Sequence, residues 1–215
     1  MPITYCTVYG QLVEVSGRVL VNAPVNVRPV APAKTALWNT DGEAIDPRGI
    51  TVLTGADGSF SVSLVPSANT VPSGVQYVLT GPYGFSLLFR IPSEAAYNPV
   101  NGSTATKPVT FGVPNTCIVS GRIADMSGSL LAGRVLSWGL YGWDDALVST
   151  ASGGIVVPHS VETITDGQGI FLSPLLPSNA LIPSGTVKAW IRGPDDLNAR
   201  FVVPSQAGVL LADLL

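Results

Sequence analysis

The stretch Asp57-Gly-Ser-Phe-Ser-Val-Ser-Leu64 alternates polar and apolar side chains with a period of two, directly after an Asp-Gly turn. This pattern is typical of a β-strand with one face in a core and the other toward solvent. About six or seven such short runs per hundred residues, separated by turn residues, are typical of β-sandwiches. No segment has helical periodicity, so the sequence predicts an all-β fold.

The strand belongs to an internal repeat. A shift of 111 residues places Cys6-Thr-Val-Tyr-Gly10 on Cys117-Ile-Val-Ser-Gly121, and after a one-residue insertion the matches continue at a shift of 112. Further matched pairs fall on turn, loop and aromatic positions: Thr54 and Thr165, Gly58 and Gly169, Phe60 and Phe171, Pro66-Ser67 and Pro177-Ser178, Gly81-Pro82 and Gly193-Pro194, Phe89 and Phe201. A repeat of this length predicts two tandem domains.

We expect β-sandwich repeats over residues 1–97 and 115–215, joined by a polar linker at 98–114 that contains Pro, Gly, Ser and Thr. Cys6 and Cys117 then occupy the same strand position in the two copies. The repeat predicts two buried free thiols, with an interdomain disulfide as the minor alternative.

The composition excludes several classes of protein. Only 12% of the residues are charged, against 46% hydrophobic, and the net charge is −3. The high apolar content argues against disorder, the low number of basic residues against nucleic-acid binding, and the abundance of Gly and Pro against long helices. No apolar run approaches the ~20 residues of a membrane-spanning helix. A soluble-looking chain with so few charges indicates that much of its surface is interface.

The pattern Thr54-x-x-Asp57-Gly58-x-Phe60, followed by a closing strand with Phe89-x-x-Pro92-Ser93, resembles the carboxypeptidase-regulatory, or transthyretin-like, β-sandwich. The second copy departs from it, with Asp166-Gly-Gln-Gly169 at the turn. The Leu-Pro-Ser loops and the segment Phe201-Val-Val-Pro-Ser205 are similar to those of tailed-bacteriophage virion proteins. The resemblance implies two transthyretin-like Greek-key sandwiches in a virion protein of the decoration (cement), neck or tail-fibre attachment type.

The residues do not assemble an enzyme site. His159 is the single histidine, and no Gly-x-Ser-x-Gly elbow accompanies it. One histidine and two distant cysteines are too few for a zinc-type site. Asp41-x-Glu43-x-x-Asp46 offers at most a weak Ca²⁺ loop. We expect no catalytic residues, no metal and no cofactor.

Four aromatic residues in or beside the irregular segments 29–49 and 138–160 are the interface candidates: Trp38, Trp138, Tyr141 and Trp143. Exposed aromatic side chains anchor protein interfaces or stack on sugars. The third possibility is that these segments fold back over the sandwich edge. Trp190 lies in a strand and is expected in the core.

The leading functional expectation is a capsid decoration protein, because the chain ends at Leu215 without a shaft, coiled coil or tip domain. The alternatives are a tail-fibre or neck adaptor and a cell-surface carbohydrate-binding module. We expect other virion proteins as partners, a homo-oligomer within the assembly, no nucleic acid and no membrane. The expected location is the virion, assembled in the host cytoplasm, and Met1-Pro-Ile-Thr-Tyr-Cys6 lacks the features of a secretory signal.

The charges differ between the halves. Residues 1–113 carry six basic and six acidic side chains, and residues 114–215 carry five and eight. This difference suggests that the second domain faces solvent while the first is docked.

Overall fold

The chain is all-β in a computed structural model that describes residues 4–30, 36–141, 147–183, 187–194 and 196–215. The first ten strands are β1 Cys6–Val13, β2 Pro24–Val30, β3 Trp38–Asn39, β4 Ile50–Leu53, β5 Ser59–Leu64, β6 Thr70–Val71, β7 Gln76–Thr80, β8 Ser86–Phe89, β9 Ala96–Asn98 and β10 Ser103–Ala105. The next ten are β11 Cys117–Arg122, β12 Val135–Tyr141, β13 Ser149–Thr150, β14 Gly154–Val156, β15 Val161–Ile164, β16 Ile170–Leu175, β17 Leu181–Ile182, β18 Lys188–Arg192, β19 Asn198–Phe201 and β20 Gly208–Leu210. The helices found in these ranges are short 3₁₀ turns at Ser67–Asn69, Pro82–Gly84, Ser178–Ala180 and Leu211–Asp213. None of them is long and apolar enough to cross a membrane.

The chain divides into two compact units whose boundaries differ from the predicted domains. Unit 1 comprises residues 1–12, 19–112 and 152–155, and unit 2 comprises residues 13–18, 113–151 and 156–215. The predicted linker at 98–114 is wrong in part, because Ser103–Ala105 pairs as an antiparallel strand with β9. Pairing with β9 satisfies the backbone N–H and C=O groups of these residues, although their composition is typical of a loop.

Unit 1 contains two main sheets. One has the order β4-β2-β7-β8 and is antiparallel throughout. In the other, β1 pairs antiparallel with β5 and parallel with β9, and β10 pairs with the far edge of β9. The rings of Phe89 and Tyr97, one from each sheet, lie 6.3 Å apart, so the sheets pack face to face as a sandwich.

Unit 2 repeats this arrangement. Its sheets have the orders β15-β12-β18-β19 and β16-β11-β20, with β11 antiparallel to β16 and parallel to β20. Trp138 of the first sheet packs on Phe171 of the second with ring centroids 5.5 Å apart. The strand β20 therefore corresponds to β9, and β16 corresponds to β5.

The matched Gly and Phe positions of the repeat have a common cause. A Cβ on Gly10 would lie 2.8 Å from the Phe60 ring, and a Cβ on Gly121 would lie 2.6 Å from the Phe171 ring. In each unit the ring of a core Phe therefore lies close against the glycine of the neighbouring strand, where a residue with a Cβ would not fit.

The matched Thr and Ser residues are buried hydrogen-bonding groups. The Oγ1 of Thr165 accepts from the Arg134 amide at 2.9 Å and donates to the Leu131 carbonyl at 2.6 Å. Thr54 makes the same two kinds of bond in unit 1. In unit 2, Ser178 Oγ accepts from the Val203 amide at 3.0 Å, as Ser67 does from Ile91. These bonds tie irregular segments to the sandwich.

Several predicted details are confirmed and others are wrong. Cys6 and Cys117 are buried free thiols at the first positions of β1 and β11. The Val-rich residues 18–27 predict a strand over their whole length, but β2 begins only at Pro24, because turns occupy residues 21–22. The predicted irregular segment 138–160 contains much of β12, together with β13 and β14.

Candidate functional site

The outer side of the β16-β11-β20 sheet in unit 2 is apolar and exposed. Strand alternation places one set of side chains outward on the three strands: Ile118, Ser120, Arg122, Ile170, Leu172, Pro174, Gly208 and Leu210. We call these eight residues the apolar sheet face. Because adjacent strands of a sheet twist and pleat together, these residues form one continuous surface.

The equivalent face of unit 1 is polar. At the positions that the repeat matches, it carries Thr7, Tyr9, Gln11, Ser59, Ser61, Ser63, Ala96 and Asn98. Three serines of β5 stand where β16 has Ile170, Leu172 and Pro174. Because the two units have the same fold, we attribute the difference between polar and apolar side chains to what each face contacts.

The chain that follows β10 covers the β1 and β9 part of the unit 1 face, while Ser61 and Ser63 of β5 stay exposed. The ring of Phe111 lies 6.1 Å from that of Tyr9, and both pack with Ala96 in one small buried cluster. Gln11 Nε2 donates to the Gly112 carbonyl at 3.4 Å and to the Asp57 carbonyl at 2.8 Å. As a result Tyr9 is only 2% exposed.

The apolar sheet face of unit 2 has no such cover in the described part of the chain. Leu172 is 63% exposed and Leu210 is 55% exposed, and Ile118 and Ile170 are also exposed. Apolar side chains at neighbouring positions of one sheet mark an interaction surface more strongly than scattered ones.

Beyond Arg122 and Leu210, the face continues into an open apolar groove of the same unit. Its apolar lining includes Ile123, Met126, Leu197, Leu211 and Leu215. Arg122 itself is exposed at this end of the face, where its Nε donates to the Gln168 carbonyl at 3.0 Å.

The structure places three of the four aromatic interface candidates. Trp38 and Tyr141 are exposed on β3 and at the end of β12. Trp143 lies outside the described residues. Trp138 is 0% exposed and packs edge-on against Phe201 in the core of unit 2, so its prediction as an interface residue is wrong. Its strand phase points the indole inward.

The sugar-stacking alternative loses support at the same residues. Trp138 offers no ring face to a ligand, and the Arg200 guanidinium lies 3.5 Å from the ring centroid of Tyr141. Trp190, expected in the core, lies half-buried on the outer side of β18, with Arg192 4.9 Å from its ring centroid.

The acidic and histidine candidates lie apart or are engaged elsewhere. Asp46 pairs with Arg48 at 2.8 Å, and this hydrogen-bonded pair lowers the pKa of the Asp46 carboxyl. Glu43 accepts a hydrogen bond from Asn39. His159 lines a polar cleft of unit 2 with Glu14, whose carboxylate is held by Arg18 at 2.6 Å. Across the described ranges, no group of three or more His, Cys, Asp or Glu residues could hold a metal ion.

The apolar sheet face was missed in the sequence, although the signal was present. Aligning β5 with β16 shows serine at every outward position of one copy and an apolar residue at every outward position of the other. The matched residues of the repeat show only what the two folds share. The mismatched residues identify the surface.

No protein-family model matches the chain, and no curated protein matches it. Among solved structures, it is similar to the shaft pilin SpaA from Lactobacillus rhamnosus GG, with 12% identity over 96% of this chain and 97% of that chain, at a TM-score of 0.30. It is also similar to a streptococcal ancillary pilin, with 11% identity over 98% of this chain and 62% of that chain, at a TM-score of 0.37. For the Bacillus anthracis TIE protein, the values are 13% identity, 96% and 33% coverage, and a TM-score of 0.28. At identities and TM-scores this low, these likenesses carry no argument about function.

Proposed function

We propose that the chain is a non-enzymatic structural subunit of a bacteriophage particle, a capsid decoration protein that docks through the apolar sheet face. The phage placement rests on the resemblance of the Leu-Pro-Ser loops and Phe201-Val-Val-Pro-Ser205 to virion proteins. The docking role rests on the uncovered apolar face of unit 2. A tail-fibre or neck adaptor is the second placement consistent with the same surface.

The observation that carries the docking role is the contrast between the two units. One fold presents the same sheet face twice: in unit 1 it is polar and its Tyr9 and Ala96 are covered, and in unit 2 it is apolar and exposed. Exposing aliphatic side chains to water costs about 25 cal/mol per Å² of apolar area. A face that carries this cost in the free chain, beside a copy that does not, is explained by a partner that covers it.

The proposed mechanism is mechanical. A subunit that binds the assembled shell, and not its separated parts, stabilises the assembled state by mass action. Its contribution depends on the affinity of the face and on the number of copies bound, and it needs no chemistry at a catalytic centre.

The test is to locate the chain in purified particles. Mass spectrometry of gradient-purified virions should detect it as a multi-copy component, and cryo-electron microscopy should show paired β-sandwiches on the capsid exterior. Density on the tail or neck would select the second placement. Absence of the chain from virions would overturn the proposal.

A further inference from the structure

The two units differ at the sheet edge next to the apolar sheet face. In unit 1, β10 covers the outer edge of β9 with antiparallel pairs from Ser103 to Ala105. In the described residues of unit 2, β20 is the corresponding strand and stands at the edge of its sheet. On that side the Gly208 carbonyl accepts from Gln206 Nε2 at 3.0 Å, and the other edge N–H and C=O groups of this short strand are available to an added strand.

The centre of the face is a hollow. Ser120 lies between Leu172 and Leu210 on the neighbouring strands, and its hydroxyl bonds to the Val209 carbonyl at 3.3 Å. The unit 1 counterpart is Tyr9, with the ring of Phe111 against it. One small side chain between two leucines leaves room for one large apolar group from outside.

A hydrogen-bond donor occupies the same place on both faces. In unit 1, Gln11 donates to the carbonyl of Gly112 in the covering segment. Arg122 stands at that position in unit 2 and presents guanidinium N–H groups at the exposed end of β11. It can bind a carbonyl or carboxylate of an incoming chain.

The size of the face favours a segment over a folded surface. Apart from the groove beyond it, the sheet face itself offers on the order of 400 Å² of apolar area on four exposed aliphatic side chains, about half of the ~800 Å² that each partner buries in a stable interface between folded proteins. A strand added to an open edge supplies the remaining affinity through main-chain hydrogen bonds.

We propose that the face takes an extended polypeptide segment of a partner protein, which adds an antiparallel strand to β20 and inserts one aromatic side chain over Ser120 between Leu172 and Leu210. Arg122 binds a carbonyl or carboxylate of the segment. This deepens the proposed function and rests on its docking role, because it names the kind of partner that the face accepts.

The experiment selects binders from a displayed library of random twelve-residue peptides against the full chain. The comparison chain carries Leu172→Ser and Leu210→Asn, the residues that unit 1 has at these positions. A second variant, Ser120→Tyr, fills the hollow and leaves both leucines in place. The control is Ile164→Ser, which removes an exposed side chain from a different sheet of unit 2. Thermal unfolding verifies that each variant is folded.

We expect enriched peptides that share one aromatic residue within an uncharged extended pattern. They should bind the wild-type chain and the control equally, and bind the double variant and Ser120→Tyr at least tenfold more weakly. Hydrogen exchange should show new protection at the amides of β20 when peptide is bound.

Three results would overturn the inference: no enrichment, peptides that bind all variants alike, or protection away from β20. Concentration-dependent dimerisation that Leu172→Ser abolishes would also overturn it, because the occupant would then be a second copy. These failures differ from failure of the proposed function, since presence of the chain in virions is measured separately.

Discussion

At the scale of single residues, the repeat signature consists of close contacts and buried hydrogen bonds. Gly121 and Phe171 are one such contact, since a Cβ at residue 121 would lie 2.6 Å from the ring. We expect Gly121→Ala to reduce the free energy of unfolding by roughly 1–3 kcal/mol, the cost of overpacking a core. Urea denaturation measures it.

The matched control for this substitution is Gly167→Ala, where an added Cβ meets no atom within 4 Å. The control should change stability by less than about 0.5 kcal/mol. Equal effects of the two substitutions would mean that the Gly–Phe contact does not explain the repeat.

Thr165 recurs as Thr54 in the other unit, and hydrogen bonding explains why both copies have threonine here. Its hydroxyl joins the Leu131 carbonyl and the Arg134 amide, and valine of the same shape would leave both groups without this partner. We expect Thr165→Val to cost roughly 1–3 kcal/mol in the free energy of unfolding. Thr51→Val, at an exposed hydroxyl that accepts from Asn26, is the control and should be nearly neutral.

The buried Tyr77 makes the free energy of unfolding depend on pH in the alkaline range. Burial raises its pKa to about 12, and the hydroxyl donates to the Val65 carbonyl at 2.8 Å. The pKa of an unfolded tyrosine is about 10. Because folding favours the protonated phenol, this stabilisation is complete below pH ~10 and is lost as the pH rises toward ~12.

We expect the free energy of unfolding of the wild-type chain to fall between these pH values more steeply than that of Tyr77→Phe. Urea denaturation at several alkaline pH values measures both slopes. Identical slopes would show that Tyr77 is not protected by the fold.

At the scale of strands, the two cores differ in which of two neighbouring strands carries the large side chain and which carries the small one. In unit 1, Val27 of β2 and Tyr77 of β7 are buried; at the matched positions of unit 2, Trp138 and Ala189 are buried. The aromatic side chain thus moves from one strand to its neighbour while the core stays filled. Interpreting Trp138 as a loop aromatic failed because this exchange depends on the strand register, which the sequence did not reveal.

The strands themselves were predictable to different degrees. Ser59–Leu64 matches its prediction from end to end because its alternation is regular. The start of β2 was misplaced because turn residues and Val-rich residues are mixed over 18–24. β10 was missed because a three-residue edge strand of Ser, Thr and Ala has the composition of a loop.

The outward residues of β16 in the apolar sheet face should contribute little to stability. Ile170 and Leu172 of β16 are exposed and point away from the core of unit 2. The variant with Ile170→Ser and Leu172→Ser should therefore keep a free energy of unfolding within about 0.5 kcal/mol of wild type. Phe171→Ala, between them and buried, should cost about 3–5 kcal/mol. Urea denaturation of the two variants checks this; a large loss for the double serine variant would mean that the face serves stability and not docking.

At the scale of the whole molecule, the low charge content indicated only that much of the surface is interface. The structure shows where one exposed apolar surface lies. The expectation that unit 2 faces solvent, drawn from its extra acidic residues, conflicts with the apolar sheet face that the structure places on unit 2. Net charge averages over all sides of a domain, whereas docking depends on one side. We therefore propose that the docking surface lies on unit 2.

The sequence was sufficient for the all-β class, because strand alternation and turn residues are short-range patterns, and the two units of the structure are compatible with the predicted repeat. The mismatch between β5 and β16 indicates the β16 part of the apolar sheet face, but its full extent needed strand register, which places Ile118, Leu172 and Leu210 on one side of three neighbouring strands. Residues from three separate strands cannot be grouped from spacing alone.

The most direct test of the central claim is binding of the purified chain to particles that lack it because its gene has been deleted. Co-sedimentation should recover the wild-type chain and Ile164→Ser in the same amount per particle, and the variant with Leu172→Ser and Leu210→Asn at least tenfold less. Undiminished binding of the double variant would contradict the claim that the apolar sheet face docks the chain, and so would failure of the wild-type chain to bind.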